Sequence, residues 1–561
     1  MKSKFIYLMF LLVGVLACSE DFTESTAFGA LSDDALANAQ GVELQLIGAY
    51  SLLDGHSDTG SADWEKTADG WWYDVISDDA HKGSTDGDQA DLFLLETYDW
   101  NTANPYIGGK WRSLFASINR CNSVLALIES IEEGDFTQQE AEARFLRAHY
   151  NFELQKGWGN VPFISVENFK NVEFNQPNPG PIWDQIEADM TFAVNNLPDS
   201  QSDVGRPTRW AATAYLGKIH LYQGEWAQAL SNLETVITQG PYSLLDEYVD
   251  NFRLAGENGA ESVFAIQFTA DAGLSFNGNR GGTLSFPGGG PINSCCGFYQ
   301  ASQDLANAYQ TENGLPLLDT YNQNDIANDY GVESGEAFTP HTGPLDPRID
   351  YVIGRRGIDM NGFGVNVGKD WIRAAFADIS GPYLTKKNYY HAGEDANRGT
   401  GGWGEQRSGI NYHIMRYADV LLMGAEAAVE TGDLTKALTW TNMVRMRAKN
   451  MTYVKDVNDP TQDAANYVIE PYASFPDATF ARKAVRFERR LELGVEGHRL
   501  FDLRRWGVTK QVLDTYVANE ARTIPPFGIA TNPYNSAYDL FPIPIGAIDL
   551  SGGVLTQNPG Y

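Results

Sequence analysis

Gly224-Glu225-Trp226-Ala227-Gln228-Ala229 stands between two runs, Trp210–Tyr222 and Trp226–Thr238, whose apolar residues recur at helical spacing. Gly224 can end the first helix in a left-handed turn. The acid beside it suits the start of the next helix, where the backbone dipole is positive. Ala229 has a side chain small enough for two helices to approach closely. The same arrangement returns as Gly432-Asp433-Leu434-Thr435-Lys436-Ala437 after the helical run Tyr417–Thr431. Two copies of one turn predict antiparallel helix pairs.

Each copy resembles the turn of a tetratricopeptide helix pair. Outward from them, helical periodicity recurs at Val42–Leu53, Trp111–Ile131 and Thr137–Lys156. It recurs again at Pro181–Leu197, where Ile182, Ile186, Met190 and Val194 repeat every four residues. Gly157-Trp158-Gly159-Asn160-Val161-Pro162 stops the third of these helices. The stretch from about Asp54 to Asn104 is loop-like, rich in Gly, Asp and Trp. After the strand-like Ser262–Phe268, residues from about 269 to 410 are full of Gly, Pro, Asn and Asp, with scattered aromatics. A structureless stretch of that length tends to carry function. The fold expected is therefore mainly α. A helical scaffold spans about 41–268 and 411–507, interrupted by a loop-rich insertion of about 269–410, and a turn-rich tail covers 508–561.

The N-terminus reads as a leader. Lys2 and Lys4 precede a short apolar run ending Leu16-Ala17-Cys18. That run is too short for a bilayer of ~30 Å, and a small residue before Cys is the pattern of a lipoprotein cleavage site. Residues 1–17 are expected to be removed and Cys18 lipidated, with 18–40 as a polar tether. Ser19-Glu20-Asp21 resembles the signal that sends Bacteroidetes lipoproteins to the outer face of the outer membrane. The net charge of −32 argues against nucleic acid or an anionic membrane surface as a partner. Cys121 reads as a buried apolar residue. Cys295-Cys296 could close a strained vicinal disulfide in an oxidising compartment or stay as two thiols; thiols are the favoured reading, since neighbouring residues meet disulfide geometry poorly.

Several further segments occur in a telling order. They are Glu142-Ala143-Arg144-Phe145-Leu146-Arg147-Ala148-His149-Tyr150, then Trp158–Pro162, then Arg416-Tyr417-Ala418-Asp419-Val420-Leu421-Leu422. Glu488-Arg489-Arg490-Leu491-Glu492-Leu493 and Gly497–Trp506 follow, and the chain closes with Ile543-Pro544 and Gln557-Asn558-Pro559-Gly560-Tyr561. Together with Cys18 they resemble the SusD/RagB family of outer-membrane nutrient-binding lipoproteins. The resemblance implies four tetratricopeptide-like helix pairs and an irregular ligand-binding half. It also implies capture of glycan for a SusC-like TonB-dependent transporter, with no catalysis and no required cofactor, although some members bind calcium. The glycan expected is a polysaccharide, and the acidity is compatible with a marine β-glucan such as laminarin. Rival readings are a peptide-capturing RagB-like lipoprotein and a secreted acidic glycosidase.

Sugar rings need flat aromatic faces, and their hydroxyls need planar polar groups. Trp111, Trp183, Trp210, Trp226, Trp440 and Trp506 sit in helical patterns or helix motifs and are expected in the core, with Trp158 packed. Trp64, Trp71, Trp72, Trp100, Trp371 and Trp403 lie in loop-like sequence. The leading glycan-binding candidates are Trp71 and Trp72, joined by Asp79 and His81. Trp371 and Trp403 of the insertion come next, then Tyr389, Tyr390, His391 and Phe276. Asp86-Gly87-Asp88 with Asp91 only loosely resembles a calcium loop and lacks the closing Glu; it reads as solvated. The glycosidase reading would make Glu492 and Glu496 an acid/base pair. Their setting among Arg486, Arg489, Arg490, Arg499, Asp502 and Arg504 favours a structural ion-pair network instead.

Overall fold

The computed structural model describes residues 36–57, 59–171, 176–270, 278–279, 281–292, 296–373, 381–394, 398–399 and 408–561. The leader, Cys18, Phe276, Cys295 and Trp403 lie outside the described residues. Asn38 caps the first helix α1 (Ala39–Tyr50), its side chain accepting from the Gln40 and Gly41 amides. Next come α2 (Pro105–Glu129) and α3 (Thr137–Trp158). They are followed by α4 (Trp183–Asn196), α5 (Arg209–Gln223) and α6 (Trp226–Gln239). After the insertion the scaffold resumes with α7 (Tyr417–Glu430), α8 (Leu434–Asn450) and α9 (Ala478–Leu493). From α2 to α8 each helix packs on the next in chain order, and α9 packs on both α7 and α8. This is a stack of tetratricopeptide-like helix pairs.

The two turns behave as their residues require. Gly224 (φ 74°) and Gly432 (φ 87°) are left-handed. Asp433 caps α8, accepting from the Lys436 amide at 3.0 Å. Ala229 and Ala437 are fully buried. Gly424 of α7 lies so close to the neighbouring helices that a Cβ there would stand 2.9 Å from Ile237 Cδ1.

The insertion leaves and re-enters the stack through one neck. Ser262–Ile266 runs antiparallel to Tyr412–Arg416, pairing Ser262 with Arg416 and Ile266 with Tyr412. The Tyr417 amide then donates to the Glu261 carbonyl at 2.8 Å, so the strand feeds straight into α7. Within the insertion, Phe286, Ile292, Met360, Ile372, Leu384, Tyr389, Tyr390 and Ile410 form a small core of their own. The C-terminal segment closes on the end of α3. The Phe541 amide bonds the Gly157 carbonyl, Trp158 Nε1 donates to the Pro542 carbonyl at 2.9 Å, and Asn558 Nδ2 donates to the Trp158 carbonyl at 2.7 Å.

Two expected loop regions are corrected. Residues 54–104 contain the helices Asp63–Lys66, Trp71–Ile76 and Ala90–Glu96 and the strand Ala80–Gly83, which pairs with Phe298–Ala301. Residues 508–561 contain the helices Thr509–Glu520, Pro525–Ala530 and Ile545–Leu550. Cys296 is disulfide-bonded, which overturns its reading as a thiol; Cys121 is free and buried.

Candidate functional site

The N-terminal candidates form an interior joint. All six residues of Trp71–Ile76 are buried. Trp71 meets Phe298 and Tyr299 edge-on, with centroids 6.3 and 5.9 Å away. Trp72 lies against Tyr73, Tyr106 and Phe541. Neither ring offers solvent a face, so the expectation of a sugar platform there is corrected. Asp79 receives Arg490 Nε at 2.9 Å. His81 is wedged between Glu96 and Glu520. Tyr389 is corrected too: it is fully buried in the insertion core, and its hydroxyl donates to the Ser285 carbonyl. The cause is shared. Each of these groups has its partner far along the chain, as Asp74 has in Tyr299, 225 residues on, and no local pattern shows it.

Trp371 is different. It is half-buried, packed against the insertion core by one side, and sits on the short helix Lys369–Ile372. That helix lies on Gly288-Gly289-Gly290. A Cβ on Gly289 would fall 1.9 Å from the Asp370 carbonyl oxygen, and one on Gly290 would fall 2.7 Å from Trp371 Cγ, with φ at +75° besides. Only glycine lets the indole settle there. Beside it Arg373 Nη1 donates to Ser84 Oγ at 2.8 Å and to the Cys296 carbonyl. A supported indole and a fixed guanidinium thus lie two residues apart on one short segment. Both glycine-flanked segments are visible in the sequence, but their juxtaposition is not, and Arg373 and Ser84 carry no sequence signal of their own.

Trp64 is half-buried, its Nε1 donating to Gln89 at 3.1 Å. Trp100 is buried and donates to the Tyr561 hydroxyl at 3.1 Å. Trp111, Trp158 and Trp440 are in the core as expected, whereas Trp183, Trp226 and Trp506 are half-buried on it and Trp210 is half-buried. The insertion also borders an open cleft of about 580 Å³ lined by Asp250, Tyr351, Lys386, His391 and Tyr453, among others. An apolar groove of about 710 Å³ runs between α2 and the C-terminal segment, past Trp111, Phe115 and Pro544.

The acidic loop already encloses a cation of its own. Lys82 Nζ donates to the carbonyls of Gly83, Thr85 and Asp88 at 2.8–2.9 Å. Elsewhere Glu187, His220 and Glu225 cluster, but His220 Nδ1 lies 2.6 Å from Glu225 and Gln223 donates to Glu187 at 2.6 Å.

Glu492 and Glu496 lie inside a buried network. Arg416 reaches Glu261, Glu492 and Glu496, while Arg348 reaches Asp346, Glu488 and Glu492. Burial alone would raise the Glu496 pKa, but Arg416 and Lys387 beside it hold it down to about 2. Glu492 is likewise held below the usual carboxylate range by Arg447, Arg416 and Arg348, against its burial. A general acid needs the opposite shift. Arg489, Arg490 and Arg499 pair with Asp419, Asp502, Asp78, Asp79 and Asp304.

A family model described as the SusD family matches residues 260–561, more than half of the chain. A second, described as starch-binding associating with outer membrane, matches residues 68–221. SusD-like protein P25 of Formosa agariphila is 24% identical over 99% of each chain. A solved laminarin-binding SusD-like protein is 23% identical with TM-score 0.66, covering 93% of this chain and all of that one. Surface glycan-binding protein A of Bacteroides thetaiotaomicron, solved with laminarihexaose, is 20% identical with TM-score 0.65, covering 93% and 99%. At these identities the solved structures carry the fold alone.

Proposed function

Because this chain belongs to the SusD family, we propose that it is a non-catalytic polysaccharide-binding lipoprotein, held by Cys18 at the outer face of the outer membrane, that passes glycan to a SusC-like TonB-dependent transporter. The observation that carries the sugar reading is Trp371, an indole supported from below by glycine backbone and flanked by the anchored Arg373. Such a face stacks on the apolar side of a pyranose while the guanidinium meets its hydroxyls. Peptide capture would lean on backbone hydrogen bonds and has less use for an indole. A β-glucan is the first glycan to try, given what the laminarin-binding relative takes. Binding by stacking and hydrogen bonding calls for no cofactor, and the ion pairs of Glu492 and Glu496 argue against those two as an acid/base couple.

The test is migration through native gels containing laminarin or other plant, algal and host polysaccharides. The parent protein should be retarded in at least one, Trp371→Ala should run free in that gel, and no reducing ends should appear. A Trp371→Ala variant retarded like the parent, or sugar released from the polymer, would sink the proposal.

A further inference from the structure

Three scaffold helices bring lysines to one interior cavity. Lys110 of α2 and Lys218 of α5 are 3% and 4% exposed, and the side chain of Lys156 of α3 is 11% exposed. All three line a cavity of about 30 Å³, together with His149, Glu153 and His498.

The charges there do not balance. Glu153 is the only carboxylate lining the cavity among the described residues, and it accepts from Lys156 at 2.6 Å. Among the described residues, Lys110 hydrogen-bonds the Thr67 carbonyl alone, at 2.7 Å. Lys218 forms a long ion pair with Asp419 Oδ2 at 3.7 Å, a carboxylate it shares with Arg489, which also holds Asp502. His149 does not add charge: burial pushes it down to about 3, and its Nδ1 lies 2.8 Å from the Tyr215 hydroxyl. Glu153, despite its burial, is held down to about 2, chiefly by Lys156, with Lys110 adding to it. Burial pulls Lys110 down to about 8. Buried ammonium groups are costly unless matched by negative charge. The volume suits one atomic ion or one or two waters, and it has no room for a sugar ring.

We propose that this cavity binds a small monovalent anion of the chloride class, shared by Lys110, Lys156 and Lys218. The ion would tie α2, α3 and α5 together at the centre of the scaffold. It does not depend on the glycan reading.

Two measurements test it. Crystals of the whole protein soaked in sodium bromide should show an anomalous peak inside this cavity. Thermal midpoints in sodium chloride and in sodium gluconate, at equal ionic strength, should differ by a few degrees for the parent, since a ligand of the folded state stabilises it by mass action. Lys218→Met should lose that difference. An empty anomalous map at the cavity overturns the site, and so does an equal chloride effect in parent and variant. Should Lys218→Met fail to fold, the bromide map of the parent decides alone.

Discussion

His81 has no exposed surface, and both ring nitrogens meet carboxylates, Glu96 at 2.9 Å and Glu520 at 2.8 Å. Burial lowers its pKa, but hydrogen bonds and charge from Glu520 and Glu96 outweigh that and lift it to about 9. The folded value is raised, so the stabilisation is complete below the unfolded value of about 6.5 and is lost as pH climbs through about 9. Urea unfolding of the parent should show stability falling between pH 7 and 9. His81→Gln should unfold at lower urea at pH 7, by about 3 kcal/mol, and show a flatter profile above it. A variant as stable as the parent at pH 7 would mean that the imidazolium is not what joins these segments. The sequence showed His81 beside aromatics and acids; Glu520, 439 residues on, was beyond any local reading.

At the scale of elements, the insertion is held at its neck by charge as well as by strand pairing. Arg416 on the returning strand meets Glu492 of α9 at 2.6 Å and Glu261 at 2.8 Å, all almost fully buried. Removing one member leaves buried charge unmatched. Glu492→Gln should cost about 3–5 kcal/mol, seen as an earlier urea midpoint, while the protein that remains folded still binds glycan. The Gly288–Gly290 support predicts the reverse split. Gly290→Val places a branched side chain at a left-handed position, where its Cβ meets the Trp371 ring. It should weaken retention in the polysaccharide gel at least tenfold and cost only about 1–3 kcal/mol of stability. Normal retention in Gly290→Val would show that the indole does not need this seat.

Across the whole molecule, strong acidity coexists with an interior in which many acids are tied to arginine. Asp78 is held down to about 2 by Arg490 and Arg499 against its own burial, and Glu496 to about 2 by Arg416 and Lys387. These folded values are depressed, so the contribution is present above the unfolded values of about 4 and is lost as pH falls through about 2. Circular dichroism should therefore show the fold surviving to about pH 4 and collapsing steeply below it. Acid unfolding well above pH 4 would contradict an interior held by these pairs.

The helices, their left-handed glycine turns, the ion-paired role of the Glu488–Trp506 region and the place of the insertion were legible along the chain, because periodicity, capping and charge density act over a few residues. Which of the candidate tryptophans would be buried was not. Trp71-Trp72 and Trp371 look alike as sequence, since each is tryptophan in a Gly- and Asp-rich stretch. The pairing of residues 80–83 with 298–301 sealed the first pair inside, and the meeting of two glycine-flanked segments left the other half-buried. Exposure depends on what arrives from elsewhere in the chain, and only the folded arrangement decides that.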